Sequence, residues 1–190
     1  MANRAGRGRD PGIDERVLEA ARQHLSRHGY EGMSLTSIAH EAGTTRQALY
    51  RRWPAKIDLA TAVVGGLGDT DATVESGSPF DDLVAELANF QRGVSGKGRL
   101  SLVGTMLQET TDAAVKARYR AAVVAPRRTR LRAVLERAVA AGLLDADADL
   151  EVALTMCTGS WYGRELAGEP IPDEWPRRTA ALVWRALGGR

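Results

Sequence analysis

Apolar residues recur at intervals of three and four along nearly the whole chain, and glycine or proline interrupts the pattern between stretches. In the first stretch, Ile13, Val17 and Ala21 fall on one side of a helical projection, and Gly29 follows the last turn. Such spacing places apolar side chains on one face of an α-helix. Because no stretch alternates apolar and polar residues as a half-buried β-strand does, the sequence predicts an all-α fold.

The predicted helices fall into two groups. A three-helix unit and a fourth helix near Lys56 occupy residues 11–66, with Gly43 and Pro54 as breaks. Residues 65–79, rich in Gly, Ser and Asp, predict a linker. Pro126 is expected to kink or split one of the longer helices that follow. These longer helices are predicted at 80–94, 100–111, 113–141, 150–167 and 173–187.

The composition excludes several classes of protein. The chain has one cysteine, which rules out an internal disulfide, and only three histidines, which argues against a histidine-based metal site. His24 and His28 have a spacing that can hold a metal, but no third ligand accompanies them. No apolar run reaches the ~18 residues that cross a bilayer, and no signal peptide is recognisable. We therefore expect a cytoplasmic protein without metal, cofactor or membrane contact.

Positive charge is concentrated at one end of the chain. The first 60 residues contain ten Lys and Arg against seven Asp and Glu, whereas the rest contains sixteen against seventeen. A local basic excess favours an anionic partner, although a solvated tail would show the same excess. Residues 1–10, with Arg4, Arg7 and Arg9, predict a basic disordered arm.

Two short helices on either side of Gly43 predict a helix-turn-helix over residues 34–53. The turn needs a glycine that adopts positive φ, and Thr45 is suited to cap the second helix. In this motif, side chains from the first turn of the second helix meet base edges in the major groove. Thr45, Arg46 and Gln47 occupy these positions, and Arg and Gln match guanine and adenine respectively.

Residues 43–56, Gly-Thr-Thr-Arg-Gln-Ala-Leu-Tyr-Arg-Arg-Trp-Pro-Ala-Lys, resemble the recognition segment of the tetracycline-repressor (TetR) family. Residues 34–42, Ser-Leu-Thr-Ser-Ile-Ala-His-Glu-Ala, resemble the first helix of the same motif, and the likeness covers about residues 12–62. The resemblance implies a homodimeric repressor that binds double-stranded operator DNA through residues 11–66. It also implies a larger helical domain, at 79–190, that binds a small-molecule effector and dimerises.

The resemblance assigns roles to individual residues as well. Tyr50 and Lys56 correspond to phosphate contacts, and Thr36 corresponds to a contact with the DNA backbone. Arg51 is either a further phosphate ligand or a solvated charge.

The sequence departs from the family pattern at the start of the fourth helix. Ala55 stands where a capping Ser or Asn is common. Asp58, in the first turn, is expected to offset the missing cap through the helix dipole.

The helix predicted at 150–167 is apolar around nearly its whole circumference, so it needs partners on two sides. One side can pack on the chain's own core, and the other needs a subunit interface or a cavity. Leu182 and Trp184 give the helix predicted at 173–187 a second such surface. We expect a homodimer through both helices, because two recognition helices must reach major grooves about 34 Å apart.

An effector cavity would be lined by large or flexible apolar side chains from different helices of the C-terminal domain. The candidates are Phe90, Met106, Leu107, Tyr119, Trp161 and Tyr162. Each could instead belong to the ordinary core. Glu109 and Arg164 are the charges nearest to them in sequence, which predicts a largely apolar effector. The basic run at residues 127–132 is interpreted as a solvated helix face.

Two other functions stay open on the sequence. An all-α enzyme or carrier would need catalytic or phosphate-binding residues, and the sequence contains no motif for either. A regulator with the same DNA-binding module could answer to a protein partner, or to no ligand. A DNA-binding titration tests the first alternative, and a small-molecule binding screen tests the second.

Overall fold

The computed structural model describes residues 11–65, 75–96 and 99–189, and every regular element in these ranges is helical. The elements are α1 (Pro11–His28), α2 (Leu35–Glu41), α3 (Arg46–Arg52), α4 (Lys56–Gly65), α5 (Pro79–Val94), α6 (Arg99–Leu107), α7 (Ala113–Tyr119), a π-helical turn (Arg120–Val124), α8 (Ala125–Ala140), α9 (Leu150–Ala167) and α10 (Trp175–Ala186). The all-α prediction is confirmed. The predicted arm at 1–10 and most of the predicted linker lie outside the described residues.

Local capping fixes the two helices of the motif. The Ser34 hydroxyl accepts a hydrogen bond from the Ser37 amide at 3.3 Å, and the Thr45 hydroxyl accepts one from the Ala48 amide at 3.1 Å. Between the two helices Gly43 has φ +67°, a conformation that glycine adopts without the strain of a Cβ. The helix-turn-helix therefore begins and turns where the sequence predicted.

Pro126 does not divide the helical run between α7 and α8. In the π-helical turn the Ala125 amide bonds to the Arg120 carbonyl, five residues earlier. Pro126 has no N–H to donate. It lies directly after the π-helical turn, where the spacing of the backbone hydrogen bonds changes from five residues back to four. The expected kink or split is thus a wide turn within one continuous run.

Two hydrophobic clusters form the interior. The N-terminal core comprises α1 to α4 together with side chains from α6, α7 and the π-helical turn, whereas the C-terminal core comprises α5, α8, α9 and α10. Tyr119 and Val123 belong to the N-terminal core, although they begin the same helical run that enters the C-terminal core. The two cores therefore meet along the helical run from α7 through the π-helical turn to α8, and we call that junction the seam.

The basic run at the start of α8 is only partly a solvated face. Arg130 binds the carboxylate of Glu86 on α5 at 3.1 Å, and Glu86 is only 1% exposed. Arg128 and Arg132 both bind Glu151 on α9. The interpretation of the run as solvated is wrong at Arg130, which binds a buried carboxylate, whereas Arg128 and Arg132 pair with Glu151 at the surface.

Helices α9 and α10 each bury one face and leave apolar side chains on the other. The exposed ones are Val152, Met156, Leu166 and Leu182. Trp184 is 7% exposed and packs edge-on against Phe80, with ring centroids 5.4 Å apart. Trp184 therefore belongs to the chain's own core, and its assignment to the second surface is wrong.

Candidate nucleic-acid interface

Helix α3 is attached to the N-terminal core by one side and presents the other to solvent. Leu49 is 1% exposed and fixes the helix to the core, whereas Thr45, Arg46 and Gln47 are exposed. The helix has seven residues, which gives a length of roughly 10 Å. A helix of this length fits within a B-DNA major groove about 12 Å wide, with its polar first turn toward the bases.

Arg46 and Tyr50 form a pair along the exposed face of α3. The Arg46 Nη2 donates to the Tyr50 hydroxyl at 3.0 Å, and the guanidinium carbon lies 5.2 Å from the tyrosine ring centroid. Stacking on an aromatic ring favours one orientation of the guanidinium. The pair therefore links a candidate base contact to a candidate phosphate contact.

Lys56 begins α4, and its ammonium reaches back to the turn after α1. The Nζ donates to the Glu31 carbonyl at 3.0 Å and lies 4.6 Å from the centroid of the Tyr30 ring. An ammonium has three donors, so two remain for a phosphate. These contacts hold the charge in place beside the motif.

The two arginines at the end of α3 have different surroundings. Arg52 is half-buried and forms an ion pair with Asp14 of α1, so its charge joins α3 to α1. Arg51 is exposed, as is Thr36 on the first turn of α2. Of the two arginines, Arg51 is the better placed to meet a phosphate.

Asp58 caps α4 by a direct hydrogen bond as well as by its charge. Its Oδ2 accepts from the Ala55 amide at 2.8 Å and from Arg118 Nη1 of α7 at 2.6 Å. The sequence predicted only the dipole effect, because the hydrogen bond depends on the local conformation of the turn. Asp58 thus also joins the DNA-binding unit to α7.

We expect Asp58→Ala to lower the free energy of unfolding by about 1 kcal/mol, the usual cost of losing a helix cap. Urea denaturation at fixed protein concentration measures the change. Arg118→Ala removes an ion pair whose arginine is 51% exposed, so it should have a smaller effect. Equal losses for the two variants would show that the ion pair, and not the cap, stabilises α4.

Five of the six candidate lining residues are divided between the two cores, and the sixth is exposed. Three lie in the C-terminal core: Phe90, Trp161 and Tyr162. Met106 and Tyr119 lie in the N-terminal core. Leu107 is 76% exposed because α6 ends there, short of the predicted end at residue 111, so its assignment to an interior lining is wrong. A pocket of about 770 Å³ between the start of α5 and the end of α10 is lined by none of the six.

Sequence reasoning missed one charged residue in this region. The guanidinium carbon of Arg127 lies 5.1 Å from the centroid of the Phe90 ring. Arg127 is four residues after Val123 and four before Leu131, both of which are buried. That spacing was a signal in the sequence that Arg127 lies against the C-terminal core.

The described ranges contain no cluster of three or more His, Cys, Asp or Glu side chains that could hold a metal ion. His24 contacts Glu41 of α2 through Nε2 at 3.0 Å, and its ring lies 5.5 Å from that of His28. His24 therefore joins α1 to α2. None of the helices described is both long and apolar enough to cross a bilayer.

Comparisons with known proteins agree with this geometry. Residues 17–63 match the family described as "Bacterial regulatory proteins, tetR family". Residues 73–183, more than half of the chain, match the family described as "Tetracyclin repressor-like, C-terminal domain". The two matches follow one another in the order of the two predicted domains.

Individual relatives extend over most of the chain. The regulator YdeS of Bacillus subtilis, described as an uncharacterized HTH-type transcriptional regulator, is 26% identical over 100% of this chain and 95% of its own. The DNA-binding transcriptional repressor TetR of Mycobacteroides abscessus is 24% identical over 83% of this chain and 84% of its own.

Two solved structures show the same fold. The TetR family transcription regulator SCO0332 has a TM-score of 0.71 and 26% identity, covering 92% of this chain and 98% of its own. The flavonoid-responsive regulator FrrA has a TM-score of 0.63 and 20% identity, covering 92% and 94%. The chain therefore belongs to the TetR family of DNA-binding transcriptional regulators.

Proposed function

We propose that this protein is a homodimeric repressor, without enzymatic activity, that leaves its operator when a small molecule binds the C-terminal domain. The observation that carries the proposal is the exposed polar first turn of α3, a helix that buried Leu49 fixes to the N-terminal core. Binding to operator DNA would place the protein in the cytoplasm. The experiment that tests it is operator binding by the full chain and by variants of α3.

In this proposal two groups of side chains have different tasks. Thr45, Arg46 and Gln47 contact base edges, which gives sequence specificity. The phosphate backbone is contacted by Thr36, Tyr50, Arg51 and Lys56, which gives affinity and orientation. The exposure of Arg46 and Gln47 and the placement of the Lys56 ammonium support this division.

Arg46→Ala and Gln47→Ala should each weaken operator binding by about 1–3 kcal/mol and relax the preference at particular base pairs. Selection of binding sites from random duplexes, followed by fluorescence anisotropy, measures both effects. Lys56→Ala should weaken binding to all sequences about equally. Tyr50→Phe should weaken binding to all sequences and also relax the preference at the base pair that Arg46 contacts, because it removes the hydroxyl that accepts from Arg46.

Arg92→Ala serves as the matched control for these variants. Arg92 is exposed on α5, outside the proposed interface, and its removal should leave DNA affinity unchanged. The assignment fails if Lys56→Ala alters the preferred operator while Arg46→Ala does not.

The exposed apolar side chains of α9 and α10 support a homodimer through residues 150–167 and 173–187. Val152, Met156 and Leu166 are 54%, 42% and 87% exposed, and Leu182 is 58% exposed. Apolar side chains grouped on two adjacent helices favour burial against a second copy. Pairing α9 and α10 with their symmetry mates would form a four-helix bundle.

Control by a small molecule is supported by a structural neighbour. FrrA is named a flavonoid-responsive regulator, and the likeness covers both domains. At 20% identity the two proteins share the fold. The chemistry of the effector must therefore come from the side chains of this chain.

A further inference from the structure

The seam between the two cores contains polar groups for which the described part of the chain supplies no partner. The indole Nε1 of Trp161 is buried without an acceptor, and the whole side chain is 1% exposed. Tyr119 is 8% exposed and Tyr162 is half-buried, and within the described ranges neither hydroxyl forms a hydrogen bond. Buried polar groups in native proteins almost always have a partner, so the unpaired indole N–H of Trp161 points to a ligand, and the two phenol hydroxyls add donors beside it.

Arg127 lies in register with a buried stripe of the long helical run. Tyr119, Val123, Leu131 and Leu135 are spaced by four residues with Arg127 in the middle, and all four are buried. An apolar residue would continue the stripe. The arginine therefore brings a positive charge to a position that packing alone would give to a leucine or a valine.

The guanidinium of Arg127 rests on the C-terminal core. It lies over the ring of Phe90, and its Nη2 is 3.5 Å from the point where a Cβ on Gly93 would stand. A Cβ at Gly93 would meet the guanidinium at ordinary van der Waals distance, so the arginine lies directly against α5. The charge is thus positioned by packing on Phe90 and α5.

The nearby acidic group is already paired. Glu86, one turn before Phe90 on α5, is bound by Arg130 at 3.1 Å. No carboxylate among the described residues forms an ion pair with Arg127. The seam therefore offers a guanidinium, two phenol hydroxyls and an indole N–H, a set of donors to which the described ranges add no compensating negative charge.

Both phenols stay neutral donors at physiological pH. Burial, and to a smaller extent the nearby Tyr162, raise the pKa of Tyr119 to about 12, against a lowering by Arg127. Burial likewise raises the pKa of Tyr162, against a lowering by Arg127. Tyr162 packs on the same Phe90 ring as Arg127, and Tyr119 precedes Arg127 by eight residues along one helical run.

We propose that the seam binds an aromatic carboxylate, with the carboxylate on Arg127 and the hydroxyls of Tyr119 and Tyr162. The aromatic part would pack against Phe90, Tyr162 and Trp161, whose rings meet edge-to-face at centroid distances of 5.4–6.0 Å. The π-helical turn lies between Tyr119 and Arg127, and such turns are frequent at functional sites. The role of this ligand as effector rests on the proposed function, but its binding does not.

A ligand at the seam would touch both halves of the molecule. Tyr119 packs in the N-terminal core, and its neighbour Arg118 binds Asp58 at the start of α4. Phe90 and Trp161 pack in the C-terminal core. A ligand that binds one arrangement of the seam better than another shifts the protein toward it, and the Arg118–Asp58 contact connects that shift to the DNA-binding unit.

Calorimetric titration of the full-length protein, without DNA, tests the proposal with three acids and their neutral amides. The pairs are benzoate and benzamide, 1-naphthoate and 1-naphthamide, and 4-hydroxycinnamate and its amide. At least one carboxylate should bind, with its amide at least tenfold weaker. Arg127→Gln should weaken that carboxylate at least tenfold. Arg128→Gln, which removes a charge one residue away that pairs with Glu151, should change its Kd less than twofold.

Tyr162→Phe removes one hydroxyl and keeps the packing, so it decides the matter if Arg127→Gln does not fold. It should weaken the carboxylate roughly tenfold to a hundredfold, the range for one hydrogen bond to a charged group. The proposal is overturned if no carboxylate binds, if the amides bind equally well, or if affinity survives both substitutions.

Operator binding, measured separately, distinguishes failure of the site from failure of the proposed function. A carboxylate that binds but leaves operator affinity unchanged confirms the site and refutes its effector role. A protein that binds the carboxylate but no DNA refutes the repressor and leaves the site established.

Discussion

Leu182→Glu should convert the protein to monomers and lower its operator affinity on the order of 10²- to 10⁴-fold, the contribution of a second linked binding module. Leu182 is 58% exposed in the single chain, so the substitution disturbs no interior packing. In a two-fold interface the same residue is introduced on both sides. Two glutamates would then lose water without a partner, which costs several kcal/mol.

Sedimentation velocity and anisotropy with operator DNA measure the two effects together. Met156→Glu on α9 provides a second, independent change on the same surface. Leu107→Glu is the matched control, since Leu107 is an exposed leucine of α6, outside both interface helices. If Leu182→Glu remains dimeric, or Leu107→Glu becomes monomeric, the subunits associate through another surface.

The choice of Leu182 over Trp184 shows what periodicity can and cannot determine. Successive residues of an α-helix are about 100° apart, so positions 182 and 184 lie about 200° apart and cannot share a surface. The sequence contained this information, and the assignment of both to one interface overlooked it. Which of the two faces is buried depends on α5 and on Phe80, whose position no local pattern specifies.

The features that the sequence predicted well are those with local causes. Ser34, Gly43 and Thr45 act within four residues of themselves, so the limits of α2 and α3 follow from the order of residues. The partners of Arg52 and Lys56 lie on other elements, at Asp14 and the Glu31 carbonyl. These contacts require the fold to be known, and they decide which charges face the DNA.

At the candidate ligand site, the position of Arg127 was interpreted wrongly from the sequence. A run of arginines at the start of α8 suggested a solvated face, because charged side chains rarely enter a core. In the structure the neighbouring arginines form ion pairs with Glu86 and Glu151. Arg127 itself packs on the Phe90 ring. Carboxylates from α5 and α9 could not be assigned to these arginines before the helices were placed.

Raising the salt concentration from 50 to 200 mM should weaken operator binding by about 10³- to 10⁵-fold, the loss expected when 6–10 phosphates are neutralised. The slope of log K against log salt should be roughly −5 to −9. The candidate cations in each subunit are Arg51, Lys56 and, in the N-terminal arm, Arg4, Arg7 and Arg9. Deleting residues 1–9 should flatten the slope without changing the preferred site, and a slope near zero would refute DNA binding.

The neighbouring arginines of α3 give this measurement a matched pair. Arg51 is exposed, so Arg51→Gln should reduce the steepness by about 2 for the dimer, one released counterion in each subunit. Arg52 is held by Asp14 of α1, so Arg52→Gln should leave the slope nearly unchanged while lowering stability slightly. A larger change in slope for Arg52 than for Arg51 would mean that α1 and α3 separate when DNA binds, because only then is the Arg52 guanidinium free to reach a phosphate.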